Sequence, residues 1–114
     1  MLPSTVRILL CTTPQDMRKS IDSLAAVVRE SLKEDAACGT LYVFLGKRPT
    51  RVKVLWWDRN GFCLLQKRLH RALFVIPEGT KNGAAIQIDG AGLHRLLSGI
   101  KREEKAKRRL ASVH

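Results

Sequence analysis

The chain has 114 residues, 45% of them hydrophobic, and carries 21 lysines and arginines against 10 aspartates and glutamates, a formal net charge of +11. That length supports one modest core and not two, and the apolar fraction is that of a folding chain rather than a disordered one. So large a positive charge on a small domain points to an anionic partner, nucleic acid first and an acidic protein or membrane surface second.

The apolar run from Val6 to Cys11, interrupted by Arg7, is too short for a signal peptide or a membrane span. Cys11, Cys38 and Cys63 form no C-x-x-C pair and have no histidine pattern nearby. They read as buried, reduced thiols of a cytoplasmic protein, not as a disulfide framework or a zinc site.

Val6 to Thr12 reads as a first strand. Thr13, Pro14 and Asp16 suit the first turn of a helix, and Met17, Ile21, Leu24, Val28 and Leu32 then make one apolar stripe to about Lys33. Asp16, Arg18 and Lys19 cluster at this helix start, where free backbone N–H groups favour a phosphate.

Residues 41–77 form the central stretch, in which cations alternate with apolar residues and both tryptophans occur. Leu41 to Gly46, Arg51 to Asp58 and Phe62 to Leu69 read as strands with one apolar and one charged face. Residues 46–50 form a basic hairpin loop. Asn60-Gly61 is the strongest turn signal, a two-residue type I′ loop. That loop would place Trp56 opposite Leu65 and Val54 opposite Lys67 on one face, and Lys53 opposite Arg68 and Arg51 opposite His70 on the other. Two like-charged pairs on one face are destabilising unless an anion lies across them or the strands splay there. Trp56 then faces the core and Trp57 solvent.

Leu73 to Ile76 is a short apolar run, and Ala85 to Ile88 an additional edge strand. Asp89 caps a second helix striped by Leu93, Leu96, Leu97 and Ile100. Residues 101–114 carry six cations and two anions and read as a frayed helix or disordered arm. The expected fold is α+β: a small antiparallel sheet of four to five strands packed by an N-terminal helix, with a short C-terminal helix, in a single domain over residues 1–100 followed by a basic tail.

No G-x-S-x-G, P-loop or H-E-x-x-H motif is present, and Asp16, Asp22, Asp35, Asp58 and Asp89 are scattered through expected caps, turns and a helix face. His70, His94 and His114 have no ligand-spaced partners. No cofactor and no metal are expected. The basic ladder is the more specific signal: Lys47, Arg48, Arg51, Lys53, Lys67, Arg68 and Arg71, with Arg18 and Lys19 at the helix start, would grip a sugar-phosphate backbone. Trp57 and Phe62 are candidates for protein contact or for stacking on a base.

Several segments agree in order and spacing with one family: Asp16-Met17-Arg18-Lys19 with Asp22, Val43-Phe44 with Gly46-Lys47-Arg48, Lys53-Val54-Leu55-Trp56-Trp57-Asp58, Gly61-Phe62-Cys63-Leu64, Lys67-Arg68-Leu69 and Phe74-Val75-Ile76-Pro77. From about Val6 to Ile100 the chain resembles the orf2-type accessory proteins, often called TnpB, of the insertion sequence sixty-six transposon family. The resemblance implies a small accessory protein needed for transposition of a bacterial element, encoded beside a separate, larger transposase, and the missing catalytic motifs make a non-catalytic role the expectation. It departs from the family at Ser23, where Gly is usual, and at His70-Arg71-Ala72, where Glu-Arg-Gly is typical. The expected partners are DNA, the transposase of the same element and a further copy of the chain. The alternatives to DNA binding are an adaptor docking on the transposase and a metal-dependent nuclease, which would need several carboxylates converging on its ions.

Overall fold

A computed structural model describes residues 6–70, 72–76 and 79–101. In chain order the elements are β1 (Ile8–Cys11), α1 (Ile21–Glu30), β2 (Leu41–Leu45), β3 (Arg51–Asp58), β4 (Gly61–Arg68), β5 (Ala72–Leu73), β6 (Thr80–Asn82), β7 (Ala85–Ile88), α2 (Gly90–Ser98) and β8 (Ile100–Lys101). The architecture is α+β, as expected. Its main sheet has six strands in the order β4-β3-β2-β1-β7-β6, and β5 and β8 form a separate two-stranded piece.

The sheet is mixed rather than wholly antiparallel, because β1 and β2 run parallel, with Ile8 opposite Leu41 and Leu10 opposite Val43. Parallel neighbours need a long crossover, and α1 supplies it. On its other side β1 pairs antiparallel with β7, so β7 lies inside the sheet and β6 takes the edge.

Both faces of the sheet are covered. On one, Leu24, Val27 and Val28 of α1 pack on Leu9, Tyr42, Phe44 and Leu55, with Met17, Ile21 and Leu32 at the margin. On the other, Leu93 and Leu96 of α2 pack with Phe74 on Leu10, Val43, Val52 and Val54. The helical parts of both stripes therefore face the core, but they cover opposite faces, and Ile100 falls outside the second helix, which Gly99 ends, and pairs with Leu73 instead. Burying each such aliphatic side chain contributes about 1.5–3 kcal/mol.

The first helix begins later than its sequence suggests, at Ile21 after an N-cap at Ser20. Gln15 is held in an isolated bridge with Gly46, its N–H donating to the Leu45 carbonyl at 2.8 Å. The Asp16 carboxylate accepts from the Arg18 N–H at 2.9 Å. A strand-like bridge followed by a side-chain-closed turn competes with helix for the same backbone groups. Asp89 does cap α2, accepting from the Gly92 N–H at 2.7 Å.

The hairpin register also differs by two residues. Asp58 pairs with Gly61, so Arg59 and Asn60 form the loop, and Arg59 takes a φ of 54°. Val54 lies opposite Leu65, Lys53 opposite Gln66 and Arg51 opposite Arg68. A shift by two keeps every side chain on its face. It also leaves one like-charged pair where the Asn60-Gly61 loop would leave two.

Candidate nucleic-acid interface

A cleft of about 550 Å³ opens at the end of the β3–β4 hairpin remote from its turn, and its lining includes Asp16, Lys47, Arg48, Arg51 and Arg68. Three segments build it. The loop between β2 and β3 brings Lys47 and Arg48, both exposed. The last rungs of the hairpin bring Arg51 and Arg68 directly opposite each other. The turn from Gln15 to Met17 forms the third wall, fixed to the Leu45 carbonyl through the Gln15 N–H.

The Arg51–Arg68 rung is a close one. The Leu69 N–H donates to the Thr50 carbonyl at 2.8 Å, which makes residues 50 and 69 a hydrogen-bonded pair. In an antiparallel ladder the next rung is then a non-hydrogen-bonded pair, where side chains approach most nearly. Among the described residues, neither arginine has a carboxylate within ion-pairing distance.

Among the described residues, Asp16 is the one carboxylate in the lining, and it is already engaged. Its carboxylate takes Arg18 Nε at 3.1 Å and Nη2 at 2.6 Å. The side-chain and backbone hydrogen bonds from Arg18, with Lys47 adding a smaller attraction, hold this carboxyl well below the usual carboxylate range. The positive charge of Lys47, Arg48, Arg51 and Arg68 is therefore left to the cleft.

The remaining candidates are placed differently. Lys53 is 5% exposed, and its Nζ donates to the Lys19 carbonyl at 2.6 Å. It fastens β3 to the segment leading into α1. Lys67 is exposed and donates to the Leu97 carbonyl at 2.7 Å, at the C-terminal end of α2, where a cation is favoured by the helix dipole. Arg18 is spent on Asp16, and Lys19 Nζ donates to Gln15 Oε1 at 3.1 Å. Since α1 starts at Ile21, neither Arg18 nor Lys19 lies on a helix terminus. Arg71 lies outside the described residues, as does the segment from residue 102 onward.

Trp57 and Phe62 face each other at the turn end of the hairpin, edge to face, with ring centroids 5.0 Å apart. Both are half-buried. Trp56 packs at the margin of the α2-side core. Gln15 and Met17 were not legible as wall residues. Their only signal is Gly46, where a Cβ would meet Met17 Cγ at 2.8 Å. Among the described residues, no group of three or more His, Cys, Asp or Glu is placed to hold a metal ion, and no helix is long and apolar enough to cross a membrane.

The model of the family described as IS66 Orf2 like protein matches residues 6–107. The chain is 46% identical over 102 residues to Uncharacterized protein y4hO of Sinorhizobium fredii, covering 88% of this chain and 87% of that protein. It is 37% identical over 79 residues to Uncharacterized protein y4jC of the same organism, covering 69% of this chain and 67% of that protein. No solved structure matches it at a significant level. A family match that spans the whole described fold, with two relatives 46% and 37% identical over two thirds or more of their length, places this chain in the IS66 Orf2-like family of insertion-sequence accessory proteins.

Proposed function

We propose that the protein is a non-catalytic DNA-binding accessory factor of transposition, and that the cleft between residues 15–17, residues 46–50 and the end of the β3–β4 hairpin is where it holds the sugar-phosphate backbone. The observation that carries this reading is the close rung of Arg51 and Arg68, joined by Lys47 and Arg48 around one cavity in which Asp16, the carboxylate found among the described lining residues, is neutralised by Arg18. Two guanidiniums held against each other repel. A phosphate between them turns that repulsion into charge-assisted hydrogen bonds from both guanidiniums.

The test is binding to duplexes carrying the element's terminal repeats and to random duplexes of equal length, across a salt series. Charge reversal of Arg51 and Arg68 together should abolish measurable binding to both. A preference for the ends that persists as salt rises identifies a site-recognition factor, and equal binding that collapses with salt identifies generic backbone binding. Unchanged affinity in the double variant would remove the cleft as the site.

A second reading rests on Trp57 and Phe62, an aromatic pair half-exposed at the hairpin tip, which suits a contact with the transposase. It predicts a complex that survives high salt and is lost on Trp57→Ala. Recovery of no transposase at high salt would overturn it.

A further inference from the structure

Among the described residues, strand β4 is an edge of the main sheet, with β3 on one side and no strand on the other. Its residues 65–68 are exposed, and Leu65, at 40% exposure, is one of three large apolar residues left exposed among those described. The parity of the hairpin fixes which backbone groups are free. Because residues 50 and 69 form a hydrogen-bonded pair, residues 61, 63, 65 and 67 bond inward to β3, and Phe62, Leu64, Gln66 and Arg68 turn their N–H and C=O groups outward.

We infer that β4 pairs antiparallel with β4 of a second copy of this chain, Leu65 facing Leu65 across the two-fold axis, so that the two sheets join into one. Outward groups can meet only outward groups, which excludes every register that pairs an even-numbered residue with an odd one. Centring on Leu65 pairs Phe62 with Arg68 and Leu64 with Gln66, each twice by symmetry, and satisfies all four outward residues within the strand. Centring on Leu64 or Gln66 sends one of them opposite a loop residue. Centring on Lys67 or Arg68 sets like charges face to face. The same register keeps the cations of β4 apart: they lie at one end of the strand, and each meets an uncharged residue of the partner strand, Lys67 opposite Cys63 and Arg68 opposite Phe62.

The pairing has a consequence for the cleft, and this part rests on the DNA reading. Within one chain Phe62 and Arg68 lie roughly 20 Å apart along the strand. In the dimer Phe62 of one copy stands beside Arg68 of the other on the same sheet face, within reach of a cation–π contact. The aromatic tip of one protomer then flanks the basic cleft of its partner, placing a stacking surface next to a phosphate site.

The experiment is sedimentation equilibrium of the full chain without nucleic acid, from 5 to 200 µM in about 300 mM salt, enough to screen the repulsion between two cationic copies. Wild type should be dimeric in this range. Leu65→Lys should be monomeric with an unchanged far-UV circular dichroism spectrum, because it opposes two ammonium groups on the axis. In a Cys38→Ser, Cys63→Ser background, Leu65→Cys should form a disulfide-linked dimer on mild oxidation. Lys67→Cys should not, since its two copies would stand about 14 Å apart along the strands. A wild-type monomer throughout, a dimer indifferent to Leu65→Lys, or equal cross-linking at residues 65 and 67 would each overturn the assignment. None of these readouts uses DNA, so failure of the dimer and failure of the DNA reading are separable.

Discussion

The cations on the α1 side of the hairpin divide into two kinds, and a salt series separates them. Arg51 and Arg68 are exposed around the cleft, whereas Lys53, between them in the alternation, is 5% exposed and bonded to the Lys19 carbonyl. Each phosphate neutralised on B-DNA contributes about −0.9 to the slope of log affinity against log salt. If Lys47, Arg48, Arg51 and Arg68 each meet one phosphate, the cleft supplies a slope of about −3.6, or roughly a 150-fold loss of affinity between 50 and 200 mM salt. Removing two contacts with Arg51→Gln and Arg68→Gln should bring the slope up by about 1.8, leaving roughly a 12-fold loss from the cleft over the same range. Lys53→Gln should leave the slope where it is. Fluorescence anisotropy of a labelled duplex at five or six salt concentrations gives the slopes. The differences between variants are the informative quantity, because residues 101–114 bring six further cations of their own. A slope that becomes as much shallower for Lys53→Gln as for Arg51→Gln would refute the division. So would a double variant with the wild-type slope.

Three further outcomes follow from the fold. Tyr42 is the single tyrosine, and burial, reinforced by hydrogen bonds to Cys38 and Glu34, pushes its phenol above the usual range. A raised phenol pKa contributes stability that is fully present below the unfolded value and declines as pH rises above about 10. Absorbance at 295 nm should therefore show no tyrosinate in the native protein at pH 10.5 and a normal titration in denaturant, and a native transition near pH 10 would refute it. Asp89→Ala removes the bond to the Gly92 N–H and should cost about 1 kcal/mol, seen by calorimetry as a Tm lower by about 4–8 °C. Gly99 ends α2 with a φ of 67°, and a Cβ there would meet Leu69 Cδ1 at 2.6 Å and the Leu73 carbonyl oxygen at 3.1 Å. Gly99→Ala should destabilise by at least about 1–2 kcal/mol from the backbone alone, measured by urea unfolding at unchanged m.

Much of the fold was legible because each element repeats its signal at its own period. Leu24 and Val28 at helical spacing, the alternation from Arg51 to Asp58 and the Asp89 cap each needed only local information. What failed was information about partners. Alternation says which side chains share a face, not which strand lies alongside, so the parallel pairing of β1 with β2 was invisible. The turn was misplaced for a related reason. Asn60-Gly61 is the stronger loop by conformational preference, yet the chain places Arg59 at positive φ. The two registers bury the same residues, so the apolar pattern could not choose between them. The register adopted sets Lys53 beside Gln66 instead of Arg68 and so relieves one like-charged rung.

The candidate site shows the limit of reading charge from sequence most clearly. An alternating lysine looks the same whether its ammonium meets solvent, a phosphate or a carbonyl, because a lysine stem can lie along apolar surface while its head reaches elsewhere. Lys53 occupies an inward position of a strand buried on both faces, and its ammonium finds the Lys19 carbonyl. Lys67 reaches the end of α2, an element thirty positions downstream that no local pattern connects to it. Lys53 holds the segment leading into α1 to the sheet, and Lys67 holds the end of α2. Their positions in the alternation matched those of Arg51 and Arg68, and only the three-dimensional neighbours distinguish them. The arginines are the ones left without a protein acceptor among the described residues, and the turn from Gln15 to Met17, itself pinned by Lys53 through Lys19, gives their cleft its far wall. The structural lysine therefore shapes the site without touching its ligand, so Lys53→Gln should alter affinity, through the position of that wall, while sparing the salt slope.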